Sequence, residues 1–231
     1  MSSKTNKEQQ EAGFEGIELA LTKSERFIEQ NQKTLIYIIG SIILIVLLFI
    51  GTKRFYLGPR EENASKEMFM AEKFFDKDSF DLALNGYGTY PGFLQIIDDY
   101  GMTKSSRLAK YYAGVCYLNL GDFSNAVTYL NKFRTNDILI GASKFSSLGD
   151  AYSGEEKYEE AAAAYIKGAD KYENNFSSPI LLKKAGLVYE ELKQYRKAHE
   201  IYTRLKQNYP DSQEGREMDK FIARIELKVG S

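Results

Sequence analysis

AGVCYLNLGDFSNAVTY, residues 113–129, decides the fold because its spacing of small and aromatic residues recurs further along the chain. A small residue is followed by an aromatic residue after three positions, by a second aromatic after nine and by an alanine after twelve. These positions are Gly114, Tyr117, Phe123 and Ala126, then Gly149, Tyr152, Tyr158 and Ala161, and then Gly186, Tyr189, Tyr195 and Ala198. A fainter copy precedes them at Ala71, Phe74, Phe80 and Ala83. The small residue advances by 43, 35 and 37 residues, near the period of about 34 that is typical of paired-helix repeats.

A glycine inside a helix costs about 1 kcal/mol relative to alanine, so glycines at three equivalent points need a packing reason. We expect that each one allows the second helix of a pair to approach the first closely, with Ala126, Ala161 and Ala198 on the facing side. The aromatic residue at the end of each turn is predicted to fill the space between the two helices of the pair. One pair cannot bury its own apolar face, so neighbouring pairs must stack into a solenoid.

With these residues the chain resembles the tetratricopeptide repeat (TPR) proteins over residues 64–229. The resemblance implies an all-α fold, namely a TPR-like solenoid of three to four helix-pair repeats. The three full repeats are about 105–138, 139–175 and 178–211, and the weak first one contains an insertion at 86–101. A final amphipathic helix, 214–228, carries Met218, Phe221, Ile222 and Ile225 on one face and is predicted to cap the stack.

The N-terminal part of the chain is predicted to hold a membrane anchor. Residues 1–34 form a polar tail, in which 13–30 is either a short amphipathic helix or loosely ordered. The run LIYIIGSIILIVLLFI, residues 35–50, has no charge, and the predicted transmembrane helix is 35–54. More than 30 polar residues precede it and no small-residue cleavage site follows, which argues against a signal peptide. Gly58-Pro59 predicts a non-helical linker at 55–63.

The basic residues on the two sides of this span are balanced. Lys23, Arg26 and Lys33 precede it, and Lys53, Arg54 and Arg60 follow it. The positive-inside rule therefore leaves the orientation open.

The insertion GYGTYPGFLQIIDDYG, residues 86–101, cannot be one helix because three glycines and a proline stand in its first seven residues. Its later part predicts a short apolar helix that ends at Gly101. Two interpretations are open: the insertion caps the N-terminal end of the solenoid, or it carries binding, as loops added to repeats often do.

Composition and motifs argue against catalysis and against nucleic acid as a partner. The net charge is −1, which gives no sign of a polyanion-binding surface. No Gly-rich phosphate loop, zinc-protease motif, Cys-x-x-Cys pair or Gly-x-Ser-x-Gly elbow is present, and paired acidic residues in sequence point about 100° apart on a helix. His199 is the single histidine and Cys116 the single cysteine, the latter expected as a buried small side chain. We therefore expect no enzyme activity, cofactor, metal or small-molecule substrate.

Protein binding is the function that remains. Repeat domains that grip a carboxyl terminus resemble one another in a basic clamp along the first helices, and here only Lys183 stands at such a point. An extended peptide or a partner helix fits the partly apolar, Tyr-rich surface better. The predicted partner-binding residues lie in the insertion and in the second copy: Tyr90, Phe93, Ile96, Ile97, Leu108, Tyr111, Val115 and Leu118.

The order of polar tail, single span and C-terminal repeats resembles the bacterial ancillary subunits of the SecYEG translocon, with features like those of Bacteroidetes repeat proteins. This resemblance implies a single-pass inner-membrane protein with a cytoplasmic N-terminus and a periplasmic repeat domain. Its implied partners are a SecYEG-type channel and a membrane-anchored periplasmic chaperone, in the export of proteins. The alternative is a cytosol-facing TPR receptor, or an assembly scaffold in another membrane complex.

Overall fold

The computed structural model describes residues 30–229 of the chain, and the side chain of the last of these is not included. The prediction for the tail lies almost wholly outside the described residues. Two compact units divide at Gly58 and Pro59.

The first unit contains helix α1, residues 30–51, followed by a π-helical segment, Thr52–Leu57. Within the described chain, the helix long and apolar enough to cross a membrane lies here, near the N-terminus, and no residue of its most apolar stretch is buried. The hydroxyl of Ser41 donates to the Ile38 carbonyl at 2.8 Å and that of Thr52 to the Leu48 carbonyl at 2.9 Å. These two hydroxyls thus have acceptors within the helix, which is the arrangement that a lipid environment would require.

The predicted non-helical linker at 55–63 is wrong, because the backbone remains helical there. In the π-helical segment the backbone N–H of Gly58 reaches back to the carbonyl of Lys53. Pro59 follows directly on this segment, so the hydrogen bond that its missing N–H would have made is lost where the π-helical pattern already interrupts the regular ladder. The wider π-helical turn absorbs the ring that would otherwise break the helix.

The second unit is the repeat domain, and its helices follow one another in antiparallel pairs. In chain order they are α2 (Gly58–Phe75), α3 (Phe80–Asn85), α4 (Phe93–Asp99), α5 (Lys104–Asn119), α6 (Phe123–Lys132), α7 (Ile138–Gly154), α8 (Tyr158–Lys171), α9 (Ser177–Glu191), α10 (Tyr195–Asn208) and α11 (Gln213–Val229). A two-stranded hairpin, β1 (Gly86–Tyr87) and β2 (Tyr90–Pro91), separates α3 from α4. The full copies are the pairs α5/α6, α7/α8 and α9/α10, which confirms the TPR-like solenoid.

The turn inside each pair has the same backbone geometry in all four copies. The residue with positive φ is Asp78, Gly121, Glu156 or Lys193, and these positions are separated by the same 43, 35 and 37 residues as the sequence motif. The next backbone N–H donates to the carbonyl of the motif aromatic at 2.9 Å, for example from Gln194 to Tyr189. Each first helix therefore ends in a left-handed closure of the Schellman type.

Close approach of the two helices occurs at each motif glycine. A Cβ at Gly114 would lie 2.6 Å from Leu130, and one at Gly149 or Gly186 would overlap the ring of Tyr165 or Tyr202. The facing alanines Ala126, Ala161 and Ala198 are fully buried. The aromatics predicted to plug each pair, Phe123, Tyr158 and Tyr195, are only partly buried, and the large residue sixteen positions after the glycine fills that place instead.

The insertion splits the second helix of the first copy into two short helices. Gly86, at φ 89°, has its α-carbon so near the next strand that a Cβ would lie 2.5 Å from the Tyr90 carbonyl. Gly92 similarly lies against the backbone that ends α3. The two ends of the hairpin therefore lie in close backbone contact at Gly86 and Gly92. This contact places α4 against α5, where Phe93 and Ile96 are fully buried. The short apolar helix is confirmed, while the hairpin was not predicted.

Two hydrophobic clusters form the core of the repeat domain. One joins α2 to α5 and contains Cys116, whose thiol pKa is raised to about 12 by burial. The other runs from α6 to α11, where Met218 and Ile225 are fully buried and the Phe221 ring lies 5.3 Å from that of Tyr202. Helix α11 thus covers the last pair, as predicted for a capping helix. In the first cluster the raised pKa keeps the thiol of Cys116 protonated, and a protonated thiol is a poor nucleophile.

We expect Lys193→Gly to stabilise the repeat domain by about 1 kcal/mol, because a left-handed conformation costs that much for a residue with a Cβ. The melting temperature of the full chain in detergent, followed by circular dichroism, should rise. Lys193→Ala is the matched control and should leave it nearly unchanged, and Gly121→Ala should lower it. A lower melting temperature for Lys193→Gly would contradict the prediction.

We expect Gly149→Ala to destabilise the repeat domain by about 1–3 kcal/mol, because the new methyl group overlaps the Tyr165 ring. In a Tyr165→Ala background the same change should instead stabilise by up to about 1 kcal/mol, since only helix propensity then counts. The measurement is a double-mutant cycle on urea midpoints. Equal effects in both backgrounds would show that the ring is not what the glycine accommodates.

Candidate functional site

The four predicted binding residues of the insertion are divided between core and surface. Phe93 and Ile96 belong to the core, and the Phe93 ring stacks on that of Tyr112 at 5.0 Å, so a surface role for these two is wrong. These two residues are three apart and share the face of α4 that packs against α5. The sequence did not reveal which face this would be, because the position of α4 depends on the hairpin. Ile97 is partly buried, and Tyr90 is 49% exposed.

The four predicted residues of α5 form one stripe, because their spacing of three, four and three follows the helical period. Leu108, Tyr111, Val115 and Leu118 are all partly buried. The Tyr111 ring lies 5.4 Å from that of Phe133, and its hydroxyl faces Ser143 of α7. Burial raises the Tyr111 pKa, so this hydroxyl stays protonated. The stripe is an apolar surface half-covered by the neighbouring pair, and its binding role stays a prediction.

The same face becomes polar in the third copy, where the groups satisfy one another. Asp150 accepts a hydrogen bond from the Tyr165 hydroxyl at 2.6 Å. The Nζ atom of Lys184 donates to both carboxylate oxygens of Asp150 at 2.8 Å. Lys184 also donates to Ser146 at 3.0 Å. Burial, and then the bond to Asp150, raises the Tyr165 pKa. This network holds α7, α8 and α9 together and uses its charges internally.

The fourth copy repeats this internal pairing. Lys183, the one cation considered for a carboxylate clamp, pairs with Glu217 of α11 at 2.6 Å. Glu190 accepts from the Tyr202 hydroxyl at 2.7 Å and pairs with Arg224 and, at 3.7 Å, with Lys228. These ion pairs fix the cap to the last repeat, so this end of the face offers no clamp for a ligand carboxylate.

Beside the insertion lies a cavity of about 700 Å³. Residues of α2, the hairpin and α4 line it: Arg60, Lys66, Glu67, Met70, Thr89, Tyr90, Pro91, Gln95, Asp99 and Tyr100. The Arg60 guanidinium donates to the Asp99 carbonyl and lies 5.5 Å from the centre of the Tyr100 ring. Burial, together with Glu67, raises the Tyr100 pKa. Its lining mixes both charges with apolar surface, which suits a peptide more than a simple ion.

Sequence reasoning identified Tyr90 in this cavity but missed the side chains from α2. Lys66 and Met70 are four residues apart on α2, so their spacing could have indicated that they lie on one surface. Which face of α2 meets the hairpin depends on the close backbone contact between Gly86 and Gly92, and that contact is not local in sequence.

Catalytic geometry is not found among residues 30–229. No group of three or more His, Cys, Asp or Glu side chains in this range could hold a metal ion. His199 lies on the surface of α10, with Nε2 3.5 Å from a carboxylate oxygen of Glu226. The histidine thus takes part in a surface contact with the capping helix.

Comparison with known families agrees with the repeat pattern. A family model described as tetratricopeptide repeat matches residues 108–137 and 182–212. These ranges fall on α5/α6 and on α9/α10, so the pair between them is assigned from the structure. No curated protein matches the chain.

Proposed function

We propose that this protein is a membrane-anchored, non-catalytic scaffold that holds other proteins on its repeat domain. TPR repeats indicate protein interaction, and the match in two copies carries the proposal. The apolar helix α1, whose stretch suited to a membrane has no buried residue, supports the anchor. The half-covered stripe on α5 and the cavity beside Tyr90 are the surfaces that we assign to the partner.

The export of proteins is the process that the layout supports. A polar segment, one apolar helix and C-terminal repeats have the order of ancillary translocon subunits, so we propose an accessory factor of the Sec translocon or of its periplasmic chaperones. In this arrangement the protein is in a bacterial inner membrane with its N-terminus in the cytoplasm. The competing candidate, a cytosol-facing receptor, has the same order of segments and differs in orientation, and the balanced flanking charges are compatible with either.

Orientation is tested by protease access. In spheroplasts that express the full chain, added proteinase should degrade the repeat domain and leave a small membrane-protected fragment that carries an N-terminal tag. A cytoplasmic marker protein is the control for intact membranes. Digestion of the repeat domain only after lysis would support the cytosol-facing receptor and would contradict a periplasmic repeat domain.

The binding surface is tested by photo-crosslinking in cells from Tyr90, Tyr111 and Leu118. We expect specific adducts from these positions because they lie in the cavity or on the α5 stripe. Glu156 and Lys193 are the controls, since both are exposed turn residues of the third and fourth copies of the same domain. Mass spectrometry of the adducts identifies the partner. Equal adducts from the control positions would show that this surface is not the site.

A further inference from the structure

A second cavity, of about 470 Å³, lies where the end of α6 meets α7 and α8. Its lining includes four cations, Arg134, Lys144, Lys167 and Lys171, and one acid, Glu160. We call these four cations and the space between them the basic cavity. The residues come from three successive segments of the chain, and none is part of the stripe on α5 or of the cavity beside Tyr90.

Lys144 occupies a core position of the repeat. It stands five residues before the motif glycine, where the neighbouring copies have Ala109 and Leu181, and it is only 5% exposed. Its Nζ donates to the Phe133 carbonyl at 2.9 Å and lies 5.3 Å from the centre of the Phe145 ring. An ammonium group in such a place is costly unless an anion neutralises it.

The four cations have no carboxylate partner among the ion pairs of the described chain. Arg134 donates to the Asn131 carbonyl at 2.8 Å, and the Nζ atoms of Lys167 and Lys171 lie 5.7 and 5.2 Å from aromatic rings. Elsewhere in the same domain cations pair with acids, as Lys184 does with Asp150 and Arg204 with Asp170. Burial first, and then repulsion from Arg134, Lys171 and Lys167, lowers the pKa of Lys144 to about 8.

We propose that the basic cavity binds an acidic segment of a partner protein, with its Asp or Glu carboxylates among the four cations. A peptide is favoured over a phosphate group because Phe145, Leu148 and Ala164 also line the cavity and would contact apolar side chains between the acids. The proposal rests on the scaffold function above in requiring a protein partner.

The test is binding of a fluorescein-labelled peptide of repeated Glu-Glu-Leu units to the full chain in non-ionic detergent, measured by fluorescence anisotropy. A peptide of Gln-Gln-Leu units is the matched probe without charge. We expect the acidic peptide to bind at least about tenfold more tightly than the neutral one, and its affinity to fall as salt is raised.

The charge-reversal variants change only exposed side chains, so that the core is not disturbed. Lys167→Glu with Lys171→Glu should weaken binding of the acidic peptide by about tenfold or more, and Lys167→Arg with Lys171→Arg should retain it. Lys77→Glu with Lys220→Glu is the control, because it makes the same change in net charge at exposed positions outside the basic cavity. It should change the affinity by less than about twofold.

The pH dependence of the peptide affinity is a second readout. The charged groups that face Lys144 are Arg134, Lys167, Lys171 and Glu160, and the pKa of Lys144 is lowered to about 8. Above that pH the empty cavity holds a largely neutral Lys144, and a bound carboxylate favours its charged form. Affinity should therefore fall between pH 7 and pH 9, and Lys144→Met should remove that part of the pH dependence.

Equal binding by the wild type and by the Lys167→Glu, Lys171→Glu variant would overturn the proposal. Binding of inorganic phosphate or of anionic phosphatidylglycerol vesicles would also overturn it, if that binding depends on these two lysines and the acidic peptide does not compete with it. The scaffold function has separate tests, because its crosslinks start from Tyr90, Tyr111 and Leu118. Failure of those crosslinks with intact peptide binding would move the partner to the basic cavity, and the reverse outcome would remove only the basic cavity.

Discussion

In each full helix pair the first helix contacts the second where a glycine meets a large side chain, and the repeat domain depends on this contact. Gly149 lies against the ring of Tyr165 and Gly186 against that of Tyr202. Any side chain at the glycine would push the helices apart and expose the alanines that face them. The same helix pair is therefore rebuilt in each copy, whatever the other residues are.

The tyrosine that fills this contact also connects one pair to the next. Its hydroxyl donates to an acid of its own pair, and that acid pairs with a cation of the helix that follows the pair: Tyr165 with Asp150 and Lys184 of α9, then Tyr202 with Glu190 and Arg224 of the capping helix. The burial of the ring and the stacking of the repeats are thus parts of one arrangement. The partners are satisfied internally, so this end of the domain is rigid and has little free charge for a ligand.

In the second copy Leu130 takes the place of the tyrosine, and this substitution changes the surface. A leucine has no hydroxyl that would need an acid nearby, so Val115 and Leu118 can stand on the adjacent face of α5. The apolar stripe assigned to a partner is therefore a consequence of how this pair is packed. The basic cavity has a different origin, because there a lysine stands in a core position and has no carboxylate partner among the ion pairs of the described chain.

The sequence by itself determined the helix pairs, their period and the buried alanines, because each depends on spacings within about 40 residues that one helix pair enforces. It also showed an apolar segment long enough for a membrane. The tertiary structure alone decided that Phe93 and Ile96 are buried, since a hairpin closed by Gly86 and Gly92 turns α4 onto α5. It alone brought Arg134, Lys144, Lys167 and Lys171 together, because the approach of separate helices has no periodic signal in the chain.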